Sequence, residues 1–281
     1  MCAGICSGNA LIFPFTMNKP PIKLQAEALA QQLQPEFPVL AAMLQKNLRR
    51  YLAVLQFVSD QLHPDGQTRI LDYGCGYPLL VKLLRDGGLA ATGYEPYAEE
   101  SYHALAAKLG IAPHFFTTLP PGDQFDVVTL VDVIEHLSIL RPTMTDVIAR
   151  IRPGGYLVIS TPNGLRLSQW LAFVRRKTAH PVAIEKFLKT DNNYVHHQRE
   201  FTRPELEKTM RYYGLEVVTS TCVDTMPQRG DLEKYHVLLG QQKELISWRT
   251  RLRDGLQSRL PADWQNNLLL LARKPAAPPS L

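Results

Sequence analysis

An apolar segment runs directly into a glycine turn at Arg69-Ile-Leu-Asp-Tyr-Gly-Cys-Gly-Tyr-Pro78, and a helical pattern follows. This order restricts the chain to folds in which a buried strand ends in a tight loop at the start of a helix. Glycine permits the sharp turn and removes the Cβ atoms that would hold a ligand away from the backbone. Gly74 and Gly76 alone are a weak signal, because many tight turns contain such a pair. Their meaning depends on the segments that follow.

Those segments alternate. Strands are expected at 69–73, 90–95, 114–117, 125–131, 155–161, 215–222 and 267–273, with helices over 78–86, 97–109, 142–151 and 202–213. Thr202-Arg-Pro-Glu205 has the form of a capping box. Phe125-Asp-Val-Val-Thr-Leu-Val131 is almost continuously apolar, which suits a strand covered on both faces. The alternation predicts an α/β fold, Rossmann-like, with a doubly wound, mostly parallel sheet. Before it, 23–34 reads as a short helix. Leu40, Leu44, Leu48, Tyr51 or Leu52, Leu55, Val58 and Leu62 then place a long amphipathic helix against the domain, where it packs on the core or covers a ligand. The expected division is a flexible tail over 1–22, a helical segment over 23–63, and a main domain over 64–275. Helical lid insertions fall at 163–200 and 226–264, and a disordered tail at 276–281.

With 281 residues, 45% of them hydrophobic, the chain can bury one large core. The net charge of +5 permits an anionic substrate or a membrane surface without requiring either, and no nucleic-acid partner is expected. Cys2, Cys6, Cys75 and Cys222 form no disulfide framework and no metal-finger spacing, so reduced thiols and a cytoplasmic location are expected. No basic residue precedes the apolar run in 1–16, which argues against a secretory signal; Met17 is an alternative start. No 18-residue apolar run is present to span a membrane as a helix.

Glu95 lies at the end of the second expected strand, 23 residues after Asp72. Consecutive parallel strands open on one crevice, and a carboxylate there can accept both hydroxyl protons of a ribose. Gly74 and Gly76 are expected to hold the remainder of the ligand against backbone N–H groups. A dinucleotide fingerprint requires a third glycine where this chain has Leu79. S-adenosyl-L-methionine (SAM) carries no phosphate but has an ammonium and a cationic sulfonium, which suit an acid such as Asp72. The sulfonium cofactor is therefore favoured over a nicotinamide dinucleotide.

Ile70-Leu-Asp-Tyr-Gly-Cys-Gly76, Gly93-Tyr-Glu95, Phe125 to Leu137 and Ile151 to Asn163 resemble, in order and spacing, the successive motifs of class I SAM-dependent methyltransferases. His197-Gln-Arg-Glu-Phe-Thr-Arg-Pro-Glu-Leu206 and Tyr213-Gly-Leu are similar to the small-molecule branch that includes ubiquinone-biosynthesis O-methyltransferases and sugar methyltransferases. The resemblance implies a seven-stranded sheet with an antiparallel last strand. It implies that Asp72, Gly74, Cys75 and Gly76 line the methionine end of the cofactor, Glu95 the ribose, and Asp132 and Val133 the sulfur region. The chain departs from the pattern at Phe115-Phe-Thr-Thr118, which lacks the acid that often meets the adenine amino group; Thr117 or a backbone group is the substitute.

A hydroxyl acceptor must lose a proton as it is methylated, and an imidazole suits that task. His136, after the fourth strand, is the candidate for this base; His196 and His197 line the acceptor pocket or fix their loop to the domain, and His197 joins His136 as a catalytic candidate. Two other readings of the first site stay open: Glu135 and His136 orient the post-strand turn, or Asp132, Glu135 and His136 hold a divalent metal, as in the quinone enzymes that the chain resembles. His103 and His180 are expected at the surface. Leu165 to Lys177 combines apolar and basic residues and reads as a lid helix, with peripheral membrane contact as the alternative. The expected activity is O-methylation of a small molecule or sugar. Its rivals are N-methylation of a small amine and a non-catalytic module that binds SAM.

Overall fold

The computed structural model describes residues 22–167, 169, 174, 197–226 and 261–276. Outside these lie His180, His196, nearly all of the tail expected over 1–22, most of both expected insertions, most of the basic stretch over 165–177, and most of the tail over 276–281.

Helix α1 spans Ile22–Leu33 and α2 spans Pro38–Leu62. Pro38 opens α2, where its missing N–H removes no intrahelical bond. Leu40, Leu44, Leu48, Leu55 and Val58 follow at helical spacing and are buried. The helix stops at His63, which adopts a left-handed conformation (φ 44°) and donates its N–H to the Ser59 carbonyl. The main domain then runs β1 (Arg69–Tyr73), α3 (Leu79–Asp86), β2 (Ala90–Tyr94), α4 (Glu100–Lys108), β3 (Phe115–Phe116), β4 (Phe125–Val131), α5 (Leu140–Arg150), β5 (Ile151–Pro162), α6 (Arg203–Tyr212), β6 (Glu216–Val223) and β7 (Asn267–Arg273).

The seven strands form one sheet in the order β3-β2-β1-β4-β5-β7-β6. Neighbours from β3 to β5 are parallel, and β7 is antiparallel to both β5 and β6, as expected. Two strands differ from expectation. β3 has only two residues, because Pro113 lies in a one-turn helix over Ala112–His114 that takes up the start of the expected segment. β5 begins at Ile151 rather than Gly155: Ile151 pairs with Phe125, and the register then shifts so that Tyr156 faces Val127. The shift places Gly155 where an added Cβ would lie 2.9 Å from the Asp126 carbonyl, so only glycine fits without movement.

Successive strand residues alternate between two cores. Ile70, Val127, Val158, Leu269 and Leu271 pack with residues of α1 to α4, and Leu71, Val128, Leu157, Leu268 and Leu270 with residues of α5 and α6. This accounts for the continuous apolar runs, since a strand with two covered faces has few positions left for polar residues. Each such leucine, fully buried, contributes about 1.5–3 kcal/mol. The sheet order reverses between β1 and β4, and at such a point the loops after the two strands diverge and leave a crevice.

Candidate functional site

The loop after β1 turns through Gly74 (φ 73°) and Gly76 (φ 52°), both in the left-handed region. Gly74 meets a second constraint: an added Cβ would lie 2.8 Å from Cγ2 of Val133, which follows β4. Around Gly76 that position is open, with no atom within 4 Å. The loop N–H groups are not offered outward as expected. Gly74 and Cys75 donate to the Tyr94 carbonyl at 2.8 and 3.1 Å, and Gly76 donates to Glu95 Oε2 at 3.0 Å. Tyr97 N–H donates to Glu95 Oε1 at 3.2 Å. The loop therefore presents bare glycine backbone and a carboxylate already oriented by two amides. Burial, with Asp72 and Glu95 nearby, pushes the Cys75 thiol well above its usual range, so it stays protonated and unreactive.

Asp72, at 2% exposure, lies at the crevice end of β1. Burial raises its carboxyl to about 7, against the opposing hydrogen bond that Thr129 Oγ1 donates at 2.7 Å; the Glu95 charge adds to the rise. A buried acid with so little compensation fits a cationic ligand group. Two carboxylates beside open glycine backbone match the ammonium and ribose of SAM, and the site's chemistry fits that cofactor. Beside Glu95, the rings of Tyr77 and Tyr102 stack at 4.2 Å and 16°. Thr117 is half-buried, one residue beyond β3 at the same end of the sheet.

Helix α2 packs on the core and also reaches into the same crevice. Arg50 Nη1 donates to Asp132 Oδ2. Asp132 holds a positive φ of 56°, which strains a residue other than glycine. Its backbone N–H donates to Ser160 O at 2.9 Å, while Oδ1 is buried with no hydrogen-bond partner, as is Arg50 Nε. Burial lowers the Arg50 guanidinium pKa, opposed by Tyr51 and Glu135. Tyr51 is pushed up to about 12 by burial; Arg50 opposes this, and Asp72 and Cys75 add to it.

One turn beyond Asp132, the chain brings together the groups over which the sequence left three readings open. Glu135 is fully buried, and Thr161 Oγ1 donates to its Oε2 at 2.9 Å. Its Oε1 has no hydrogen-bond partner. Burial raises its carboxyl, opposed by its hydrogen bonds and by the charges of His197 and Arg50. The Glu135 carbonyl accepts from Gln198 N at 2.6 Å and Arg199 N at 3.2 Å, which ties residues 197–201 to the end of β4. The rings of His136 and His197 then meet edge to face, with centroids 4.9 Å apart. One ligand atom from each of Glu135, His136 and His197 lies within 4.8 Å of the others. Two imidazoles and a carboxylate match the three protein ligands of a catalytic zinc site, in which water takes the fourth position. Asp132, the third member of the expected metal set, pairs with Arg50 instead.

Behind His197, Nδ1 lies 2.9 Å from Glu200 Oε1. Arg166 donates to both oxygens of Glu200, through Nη2 to Oε1 at 2.8 Å and through Nη1 to Oε2. Desolvation acts to raise the Glu200 carboxyl, but the bonds from His197 and Arg166 outweigh it and hold the group below its usual value.

Asp72, Gly74, Cys75, Gly76 and Glu95 thus stand at the ends of β1 and β2, facing Asp132 and Val133 beyond β4, with His136 and His197 adjoining. Sequence reasoning missed Arg50, Tyr51, Thr129, Arg166 and Glu200. Arg50 and Tyr51 left no signal of their own, because Leu48 and Leu52 keep the apolar spacing of α2 on either side of them.

The sequence profile described as "Methyltransferase domain" matches residues 43–220. A ubiquinone biosynthesis O-methyltransferase from Rhizobium etli is 28% identical over 207 residues, 68% of this chain and 80% of that protein. A like-named protein from Rhizobium leguminosarum bv. trifolii is 30% identical over 163 residues, 55% of this chain and 62% of its own length. A crystal structure from Galdieria sulphuraria, provisionally assigned as a sarcosine dimethylglycine methyltransferase, superposes with a TM-score of 0.51. At 13% identity, over 81% of this chain and 86% of the other, that likeness is one of fold.

Proposed function

Because this chain belongs to the methyltransferase-domain family, as a SAM-dependent enzyme acting on small molecules, we propose that it methylates a hydroxyl oxygen. The observation that carries this is the pair of imidazoles, His136 and His197, beside the buried Glu135 at the crevice end of β4. An amine acceptor need only arrive unprotonated, whereas a hydroxyl must give up a proton, and this site supplies groups that take one. The two rhizobial relatives are O-methyltransferases by name, which agrees with this reading.

When bound, SAM supplies an activated methyl group on a sulfonium. Asp72 would face its ammonium, Arg50 its carboxylate and Glu95 its ribose hydroxyls. Gly74, Cys75 and Gly76 would give the close backbone surface, Asp132 and Val133 the wall around the sulfur, and Thr117 the contact nearest the adenine. Tyr51 and the buried face of α2 exclude water from this end of the crevice. His136 and His197 face the side from which a small acceptor, phenolic or sugar-like, would arrive. The protein's work is alignment, exclusion of water and removal of one proton.

Isothermal titration of the full chain with SAM and with its demethylated product should show binding to the crevice. Labelled SAM offered with phenols, catechols, sugars and amines should transfer label to oxygen. Transfer to amines alone would defeat the oxygen reading, and failure to bind either form of the cofactor would defeat the residue assignments.

A further inference from the structure

We infer that His197 is the base that receives the acceptor's proton, and that Glu200 and Arg166 are positioning residues that fix its tautomer. The inference rests on the hydroxyl reading above and names the base within it.

Arg166 holds the carboxylate that lies behind His197. A guanidinium has only donors, so both oxygens of Glu200 must accept from it. An ionised Glu200 has no proton to give, and its side chain is only 4% exposed, so water does not compete for it. The 2.9 Å contact with His197 Nδ1 must then have the imidazole as donor. In a neutral ring this leaves the lone pair on Nε2. A base needs that state, and here it is set by a residue three positions along the chain. The His197 side chain remains 32% exposed, which leaves part of the ring open to an acceptor.

The segment is held on both sides. Gln198 and Arg199 donate to the Glu135 carbonyl, and Gly164 donates to Phe201 O at 2.9 Å. Such bracing keeps a catalytic group within the narrow geometry that proton transfer requires. The charged and titratable groups around the ring are Glu200 with Arg166 behind it, His136 and Glu135 on its other side, and Arg50 beyond Glu135. Arg199, on the same segment, is turned away to Glu205 at 2.8 Å.

The acceptor oxygen forms its bond to the methyl carbon while its O–H bond breaks toward Nε2 of His197. The bond from methyl to sulfur breaks with its electron pair left on sulfur. Positive charge leaves the sulfonium and reappears on the imidazole, where the Glu200 carboxylate meets it through Nδ1–H.

The first test needs neither cofactor nor acceptor. Nitrogen-15 NMR of the histidine side chains in the full chain should show neutral His197 as the Nδ1–H tautomer; a dominant Nε2–H form would overturn the proposal. In Glu200→Gln, an amide set against Nδ1 and Arg166 should shift the ring toward Nε2–H. Turnover of the hydroxyl acceptor found in the labelled panel should fall about 10²–10⁴-fold with cofactor affinity unchanged. Glu200→Asp should restore part of the rate. His197→Gly should lose turnover and regain it with added imidazole, a rescue that a purely structural role would not permit. Undiminished turnover in His197→Gly would also overturn the proposal. If label reaches only amines, the oxygen reading fails on its own evidence, whatever the tautomer.

Discussion

Asp72 shows how a buried carboxyl can weaken the protein that carries it. The native carboxyl keeps its proton up to about 7, while an unfolded aspartate releases it near 3.8. Unfolding between those values therefore releases a proton, and stability falls as pH rises through that window. Asp72→Asn should remove this dependence. Urea unfolding of the ligand-free protein should show the variant gaining stability on the wild type between pH 5 and pH 8, by an amount on the order of a few kcal/mol. Titration should show it losing cofactor affinity; equal pH dependence in the two proteins would refute the account. Gly74 carries two demands, a φ of 73° and a methyl's distance from Val133. Gly74→Ala should cost roughly 1–3 kcal/mol in the same experiment, and no change would mean that the loop relaxes freely. Gly76 differs, because the space beside it is open. Gly76→Arg should leave the fold intact by circular dichroism while its side chain fills the cofactor's place and abolishes binding.

At the scale of elements, α2 is both a core helix and a wall of the site. Its leucines pack on the sheet, while Arg50 and Tyr51 sit at the crevice. Arg50→Gln should reduce cofactor affinity about tenfold or more while the buried leucine face keeps the helix in place; unchanged affinity by titration would remove Arg50 from the site. Helix α6 has the capping box that its sequence announced. Glu205 N–H donates to Thr202 Oγ1 at 3.4 Å, and Thr202 N–H donates to Glu205 Oε2 at 2.9 Å. Because the segment bearing His197 and Glu200 leads directly into this cap, the box also anchors the proposed base.

For the whole molecule, the cofactor links stability to function. Two helical layers cover a sheet whose order reverses between β1 and β4, and the crevice there collects groups from α2, both loops and the 197–200 segment. A ligand that binds only this folded arrangement must stabilise it. The demethylated cofactor at about 100 times its dissociation constant should add roughly 2.7 kcal/mol to the unfolding free energy. A thermal melt would register this as a rise of several degrees, and a flat response would sink the assignment of the crevice. Among the described residues, no helix is long and apolar enough to cross a membrane.

What could be read from the chain alone was local or periodic. Apolar runs mark strands covered on both faces, glycine spacing marks the turn, and Glu95 lies at a distance from Asp72 that neighbouring parallel strands explain. Those features arise from backbone sterics and burial, which act within a few residues, and β1, β4 and β7 accordingly fall where their apolar runs begin and end. Only the tertiary structure joins Arg50 to Asp132 across 82 positions, and Arg166 to Glu200 across 34. No local preference records such pairs, because a charged residue on a helix or loop reads the same whether it faces water or a buried partner. His197 was legible as a histidine in a motif. Its fixed Nδ1–H exists only because folding brings a carboxylate and an arginine behind the ring and buries that carboxylate away from water.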